Sequence, residues 1–206
     1  MNVQGASFAS GSLAGYAERV GQVLAGQGWT PPDTILQLAT AENLPIQQLG
    51  SKAFQAIQDY FDLWRALPPW PDVAAGMQAL HKDYTLAVLS NMSIATQTAL
   101  RARTGLPFAR LLSGETVKEY KPSPAVYQMA VSSLRVGSAE ILMVAAHNYD
   151  LNAAKAEGFR TAFIGRPNEM GPAGSPGNRP DPSFDFNAFS LADLAEQLGR
   201  SCRDVG

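Results

Sequence analysis

The chain has 206 residues, 46% of them hydrophobic and 17% charged, which suits one sizeable globular domain or one domain with a small insert. A net charge of −2 with scattered Lys and Arg excludes a general nucleic-acid footprint. No apolar run approaches the roughly 18 residues of a membrane helix, "MNVQGASFASG" lacks the pattern of a secretory signal, and the single cysteine, Cys202, cannot form an internal disulfide, so a cytoplasmic protein is expected.

Residues 1–14 are small and polar, with weak periodicity. From Tyr16 to about Leu67 the chain reads as helix. Leu13, Val20 and Leu24 share one face, and Pro31-Pro32-Asp33 opens a second helix at Thr34. In "IQQLGSKAFQAIQDYFDLWRAL" (46–67), Ile46, Leu49, Phe54, Ile57, Phe61 and Trp64 recur at helical spacing, as an amphipathic packing helix requires. Pro68, Pro69 and Pro71 then break the pattern and mark a junction. Beyond it strands alternate with helices: helix 73–81, strand 84–90, helix 93–104, strand 109–114, helix 124–134, strand 140–146, helix 150–157 and strand 160–165. A Pro/Gly-rich surface loop at 166–183 leads to strand 184–186 and a last helix, 190–199. Such alternation predicts an α/β fold with a parallel sheet covered by helices on both faces.

Three polar clusters follow the expected strand ends, where ligands bind in open α/β sheets. Ser90-Asn91, with Met92 and Ser93, opens a helix whose amides suit a carboxylate or phosphate. Helix capping by Asn91 or Ser93 is the simpler role for such a pair alone. Lys121, in "KEYKPSPAVY" (118–127), precedes a Pro-rich helix start and can set a compact charge against an anion or a carboxylate. The third cluster is "ILMVAAHNYDLNAAKAEGF" (141–159), where an apolar strand runs into His147, Asn148, Tyr149 and Asp150. Asp150 is the natural N-cap of helix 151–157. Ala146 stands four residues before it, so a second carboxylate for magnesium is missing, and two histidines with one cysteine make no zinc site. No metal is expected, and an Asp150–Lys121 ion pair across the strand ends is the better reading.

Together, and in this order, the clusters resemble the haloacid dehalogenase superfamily, most closely its type II haloacid dehalogenases. "PPWPDVAAGMQAL", "LAVLSNMS", "GLPFARLLSGETVKEYKPSPAVYQMA", "ILMVAAHNYDLNAAKAEGFRTAFIGRP" and "FDFNAFSLADLAEQL" carry the likeness over about residues 64–199. The resemblance implies a Rossmann-like core over 68–206 and a shortened all-helical cap over 16–67. It gives Ser90 and Asn91 the substrate carboxylate and the orientation of the nucleophile. Lys121 neutralises that nucleophile, Asp150 partners Lys121, and Tyr127 matches the active-site tyrosine. Ala145 and His147 stand where characterised members carry Ser and Asn; His147, able to take over a hydrogen bond, and Asn148 are added as substrate-binding candidates. Ala146 fits a reaction that uses neither metal nor cofactor.

The family opens on a strand ending in a nucleophilic aspartate. The nearest counterpart here, "SFASGSL" (7–13), has Phe8 in the aspartate's place. Residues 1–15 are therefore expected to hold a degenerate first strand, formed by 2–9 between strands 84–90 and 140–146, with Phe8 or Ala9 at its end. Arg19 is the one candidate for the cap arginine before Arg65. The implied reaction is hydrolysis of a short 2-haloacid through an ester on a carboxylate. The alternatives are a non-catalytic protein of this fold that binds a small carboxylate, or a fragment of a hydrolase of this superfamily; a magnesium phosphatase is disfavoured by Ala146 and by the missing first aspartate. The expected partner is a small carboxylate substrate, with neither nucleic acid nor membrane, and a homodimer is the one assembly considered.

Overall fold

The computed structural model describes residues 3–167, 169 and 178–203. Its elements run α1 (Val3–Leu24), α2 (Pro32–Asn43), α3 (Ile46–Leu49), α4 (Ala53–Ala66), α5 (Val73–Leu80), β1 (Ala87–Ser90), α6 (Ile94–Thr104), β2 (Arg110–Ser113), α7 (Pro124–Leu134), β3 (Leu142–Ala145), α8 (Asn148–Ala156), β4 (Arg160–Ile164), β5 (Phe186–Ala188) and α9 (Leu191–Arg203). The α/β class expected from the alternation is the class observed.

The chain divides into two compact units. The first takes Met1–Pro68, Leu89–Thr104 and Leu111–Tyr120. Here the expected first strand is corrected: Val3–Leu24 form one helix, residue 2 and the side chains of Phe8 and Ala9 lie outside the described residues, and no strand end is available to carry Phe8. The reason is compositional. Val3 is the only β-branched residue among the first 14, while alanines recur, so nothing local favours a pleated strand over propagation of the helix. Farther along α1, Val20 packs on Ile35 of α2 and on Tyr120, flanked by Tyr16, Val23 and Trp29. Pro32 at the first position of α2 gives up an amide that the helix start leaves unpaired in any case. Tyr120 is fully buried, stacks on Trp29 with ring centroids 4.9 Å apart, and donates to the Thr30 carbonyl at 2.7 Å.

The second unit takes Pro69–Val88, Gly105–Arg110 and Lys121–Gly206. Its sheet has the order β3-β4-β5, with both pairs parallel. Leu142 faces Arg160 and Ala145 faces Phe163; Ala162 faces Phe186 and Ile164 faces Ala188. Leu80, Ala162, Ile164, Phe186, Ala188, Leu194 and Leu198 form its apolar core, which ties α5 and α9 to the sheet. Gly158 closes α8 at φ +84, the left-handed conformation a helix end commonly demands of glycine. The remaining strands, β1 and β2, pair with each other, and among the described residues no ladder joins that pair to β3. Of the β4–β5 connection, residues 168 and 170–177 are not described.

Candidate active site

The polar run after β3 folds by a sharp change of backbone. His147 remains extended at φ −113, ψ 118, and α8 begins at Asn148. Asp150 is thus the third helical residue rather than the N-cap that the sequence suggested, and the residue at the N-cap, His147, makes no side-chain cap. The carboxylate is instead taken up elsewhere. Asp150 is 3% exposed; its Oδ2 lies 2.5 Å from Lys121 Nζ, and its Oδ1 accepts from Tyr127 Oη at 2.7 Å. The expected Lys121–Asp150 pair therefore forms, and Tyr127 completes it.

Each member has its own support. Lys121 precedes Pro122 through a cis peptide and sits just ahead of α7, whose first residue is Pro124. Tyr127, one turn into α7, is fully buried and meets the ring of Phe159 edge-on at 6.0 Å. Burial, and then the adjacent Asp150 carboxylate, push its phenol far above the ordinary tyrosine range. Tyr127 consequently serves only as a donor to Asp150. The result is a buried carboxylate held by one cation and one hydroxyl, with a lysine charge fixed in place.

His147 and Asn148 lie beside this cluster in sequence, but their bonds turn toward the chain after β4. His147 Nε2 is 3.1 Å from Glu169 Oε2, and the imidazole stacks on Tyr149 at 5.6 Å between centroids. The hydrogen bond to Glu169 raises the imidazole above its ordinary 6.5; burial pulls it down, the charges of Glu169 and Asp150 add to the rise, and Lys121 opposes it. Asn148 bonds reciprocally with the Arg179 backbone: Nδ2 donates to the carbonyl and Oδ1 accepts from the amide, both at 3.0 Å. Its own amide donates to Asn178 Oδ1 at 3.4 Å. Both side chains expected to touch substrate thus hold the loop. Glu169 was not singled out by sequence reasoning, because a lone acid in a Pro/Gly-rich stretch shows no partner until the loop's path is known.

In the other unit, the Ser90–Ser93 turn is pinned from within. Ser90 Oγ accepts from the Met92 amide, and Ser93 Oγ from Thr96 at the start of α6, each at 3.1 Å. The capping role considered for this turn accordingly falls to Ser93. The Asn91 carbonyl accepts from Tyr16 Oη at 3.3 Å. Gln97, 4% exposed, donates to the Met92 and Leu112 carbonyls at 2.9 and 3.0 Å, a support that looks like an ordinary helix position in the sequence. Arg19 is paired with Glu42. Among the described residues, no three His, Cys, Asp or Glu side chains gather as a metal site would require.

Parallel strands with covering helices, and a lysine–aspartate–tyrosine cluster at a strand end, define an α/β protein with a charged site where such sheets bind ligands. A family model of haloacid dehalogenase-like hydrolases matches residues 15–158, and the chain belongs to that family. It is similar to the haloacetate dehalogenase H-2 of Moraxella sp. (strain B), with 31% identity over 48% of this chain and 46% of that protein. It is similar also to the (S)-2-haloacid dehalogenase 1 of Pseudomonas sp. (strain CBS-3), with 34% identity over 52% and 49%. Among solved structures, the L-2-haloacid dehalogenase PA0810 superposes with a TM-score of 0.80 at 36% identity, covering 91% of this chain and 80% of that one. The chain spans about half the length of the curated relatives it matches.

Proposed function

We propose that this protein takes part in hydrolytic dehalogenation of a short 2-haloacid. The observation that carries the reading is the Lys121–Asp150–Tyr127 cluster, since its three members are those the family likeness assigns to the site. The reaction displaces halide from the 2-carbon by a carboxylate, giving an ester and free halide. Water then cleaves the ester at its acyl carbon, regenerating the carboxylate and releasing a 2-hydroxyacid. In this scheme Lys121 supplies the positive charge that holds the attacking carboxylate and stabilises the charge of the ester's tetrahedral intermediate. Asp150 and Tyr127 keep that ammonium in one position. Ser90 and Asn91 are given the substrate carboxylate on the family likeness alone. Metal independence is part of the same proposal: Ala146 offers no second carboxylate, and the one at Asp150 is neutralised by Lys121. We place the reaction in the cytoplasm; among the described residues no helix is long and apolar enough to cross a membrane.

A second reading is carboxylate binding without turnover. One observation favours it: the residues expected to form the nucleophile-bearing first strand lie in a helix over Val3–Leu24. Halide release from 2-chloropropionate separates the two. Release above buffer that disappears in Lys121→Ala supports the first; lactate binding by calorimetry without any release supports the second.

A further inference from the structure

Where β1 and β2 begin, the second unit carries a cavity of about 420 Å³, within the range of small-molecule sites. Thr85 lines it just ahead of β1, Ala109 and Arg110 at the start of β2, and Ser133, Leu134 and Arg135 at the end of α7. All six belong to the second unit, and none is a member of the Lys121–Asp150–Tyr127 cluster. Ala109 ties the two strand starts together, its amide donating to the Leu86 carbonyl at 2.8 Å.

The charge in this lining is of one sign. Arg19, Arg160 and Arg166 are held by acids, and Arg103 by the Arg65 and Leu67 carbonyls. Arg110 and Arg135 are exposed, and among the described residues neither guanidinium has an acid, a carbonyl or a ring against it. Arg135 ends α7 in left-handed backbone, φ 59 and ψ 41, where glycine is the usual residue. A cation is favoured at the carboxyl end of a helix, but that does not account for Arg110, the first residue of β2. Two like charges lining one cavity repel each other, and an anion between them reverses the sign of that interaction. Ser133 Oγ donates to the Met129 sulfur at 3.5 Å, a weak acceptor that a better one can replace, and Thr85 adds a second hydroxyl.

We propose that this cavity binds a small phosphate monoester, its phosphate held between the Arg110 and Arg135 guanidiniums with the Thr85 and Ser133 hydroxyls as further donors. Guanidiniums meet phosphate oxygens through two-pronged contacts, and two of them match a dianion. The volume leaves room beyond the phosphate, where Ala109 and Leu134 offer apolar surface to an organic group. A nucleic acid would need a run of such contacts, and the chain, at net charge −2 with scattered Lys and Arg, has no basic stripe.

The test follows backbone amide NMR shifts of the full chain at about pH 8, where phosphate is dianionic, during titration with propyl phosphate, inorganic phosphate and succinate. Propyl phosphate is expected to shift the Thr85, Arg110 and Arg135 amides saturably, at least as tightly as inorganic phosphate and more tightly than succinate. Arg110→Gln should weaken it by roughly tenfold, the loss of one charge-assisted contact. Arg135→Gly should do the same without lowering the thermal midpoint, because glycine suits that backbone. Lys52→Gln, at an exposed lysine outside the cavity, should leave binding unchanged. Shifts confined to the Lys121, Tyr127 and Asp150 amides would place the phosphate at the proposed dehalogenation site and overturn the proposal. Full binding in either arginine variant, succinate binding as tightly as propyl phosphate, or inorganic phosphate binding while propyl phosphate is excluded would each overturn it too.

Discussion

Asp150 is buried, and both its oxygens are engaged, one by Lys121 and one by Tyr127. Removing one partner of a buried pair costs more than the pair contributes, because the other charge is left desolvated and alone. Asp150→Ala is therefore expected to lower the unfolding free energy by about 3–5 kcal/mol, read from urea denaturation; a change near zero would show that the pair is solvated. Tyr127→Phe removes one hydrogen bond to a carboxylate and should cost about 1.5–3 kcal/mol. Lys121→Ala should weaken lactate binding by about tenfold or more, as loss of a charge-assisted contact does. Lys118→Ala should leave it unchanged, because Lys118 is exposed and outside the cluster. Equal effects in calorimetry would show that Lys121 does not face the ligand.

At the scale of elements, the start of α8 is joined to the chain after β4 by His147–Glu169 and by the Asn148–Arg179 bonds. Because Glu169 raises the folded-state value of His147 above 6.5, the pair stabilises the fold fully below the unfolded value. That contribution is lost as pH rises through the raised folded value. Glu169→Gln should accordingly lower the urea midpoint at about pH 5.5 and match the parent at about pH 8.5; a constant offset would point to packing instead. Gly76 shows a different constraint. A Cβ there would collide with the Leu191 side chain and stand 2.9 Å from its carbonyl carbon, where α5 crosses α9. Gly76→Ala should cost about 1–3 kcal/mol in thermal unfolding. The crossing could not be read from the sequence, in which Gly76 is only a weak helix residue. The alternation itself was legible: α7 spans 124–134 as its proline start and apolar spacing indicate, and β1 to β4 fall within their expected apolar runs, while the last strand lies at Phe186–Ala188 and shares only Phe186 with the expected 184–186. What escaped is non-local. The Glu169 partner of His147 depends on a loop path, and Asp150 lost its capping role to a hydrogen bond from a helix 23 residues away.

At the scale of the molecule, the expected central strand is the one element the structure replaces. Its residues continue a helix, and β3 pairs with β4 while Val144 remains 37% exposed. A parallel strand covered on both faces would bury that valine. The site residues on the second unit are nevertheless assembled, since Lys121, Tyr127 and Asp150 depend on α7, α8 and the sheet behind them. Assembly of the lysine cluster and supply of an attacking carboxylate are thus separate requirements. The most direct measurement is chloride release from 2-chloropropionate by the purified, folded chain beside Lys121→Ala. The dehalogenation reading predicts release above buffer from the parent and none from the variant. Lactate binding by the parent with no chloride released, or release that survives in Lys121→Ala, would contradict it.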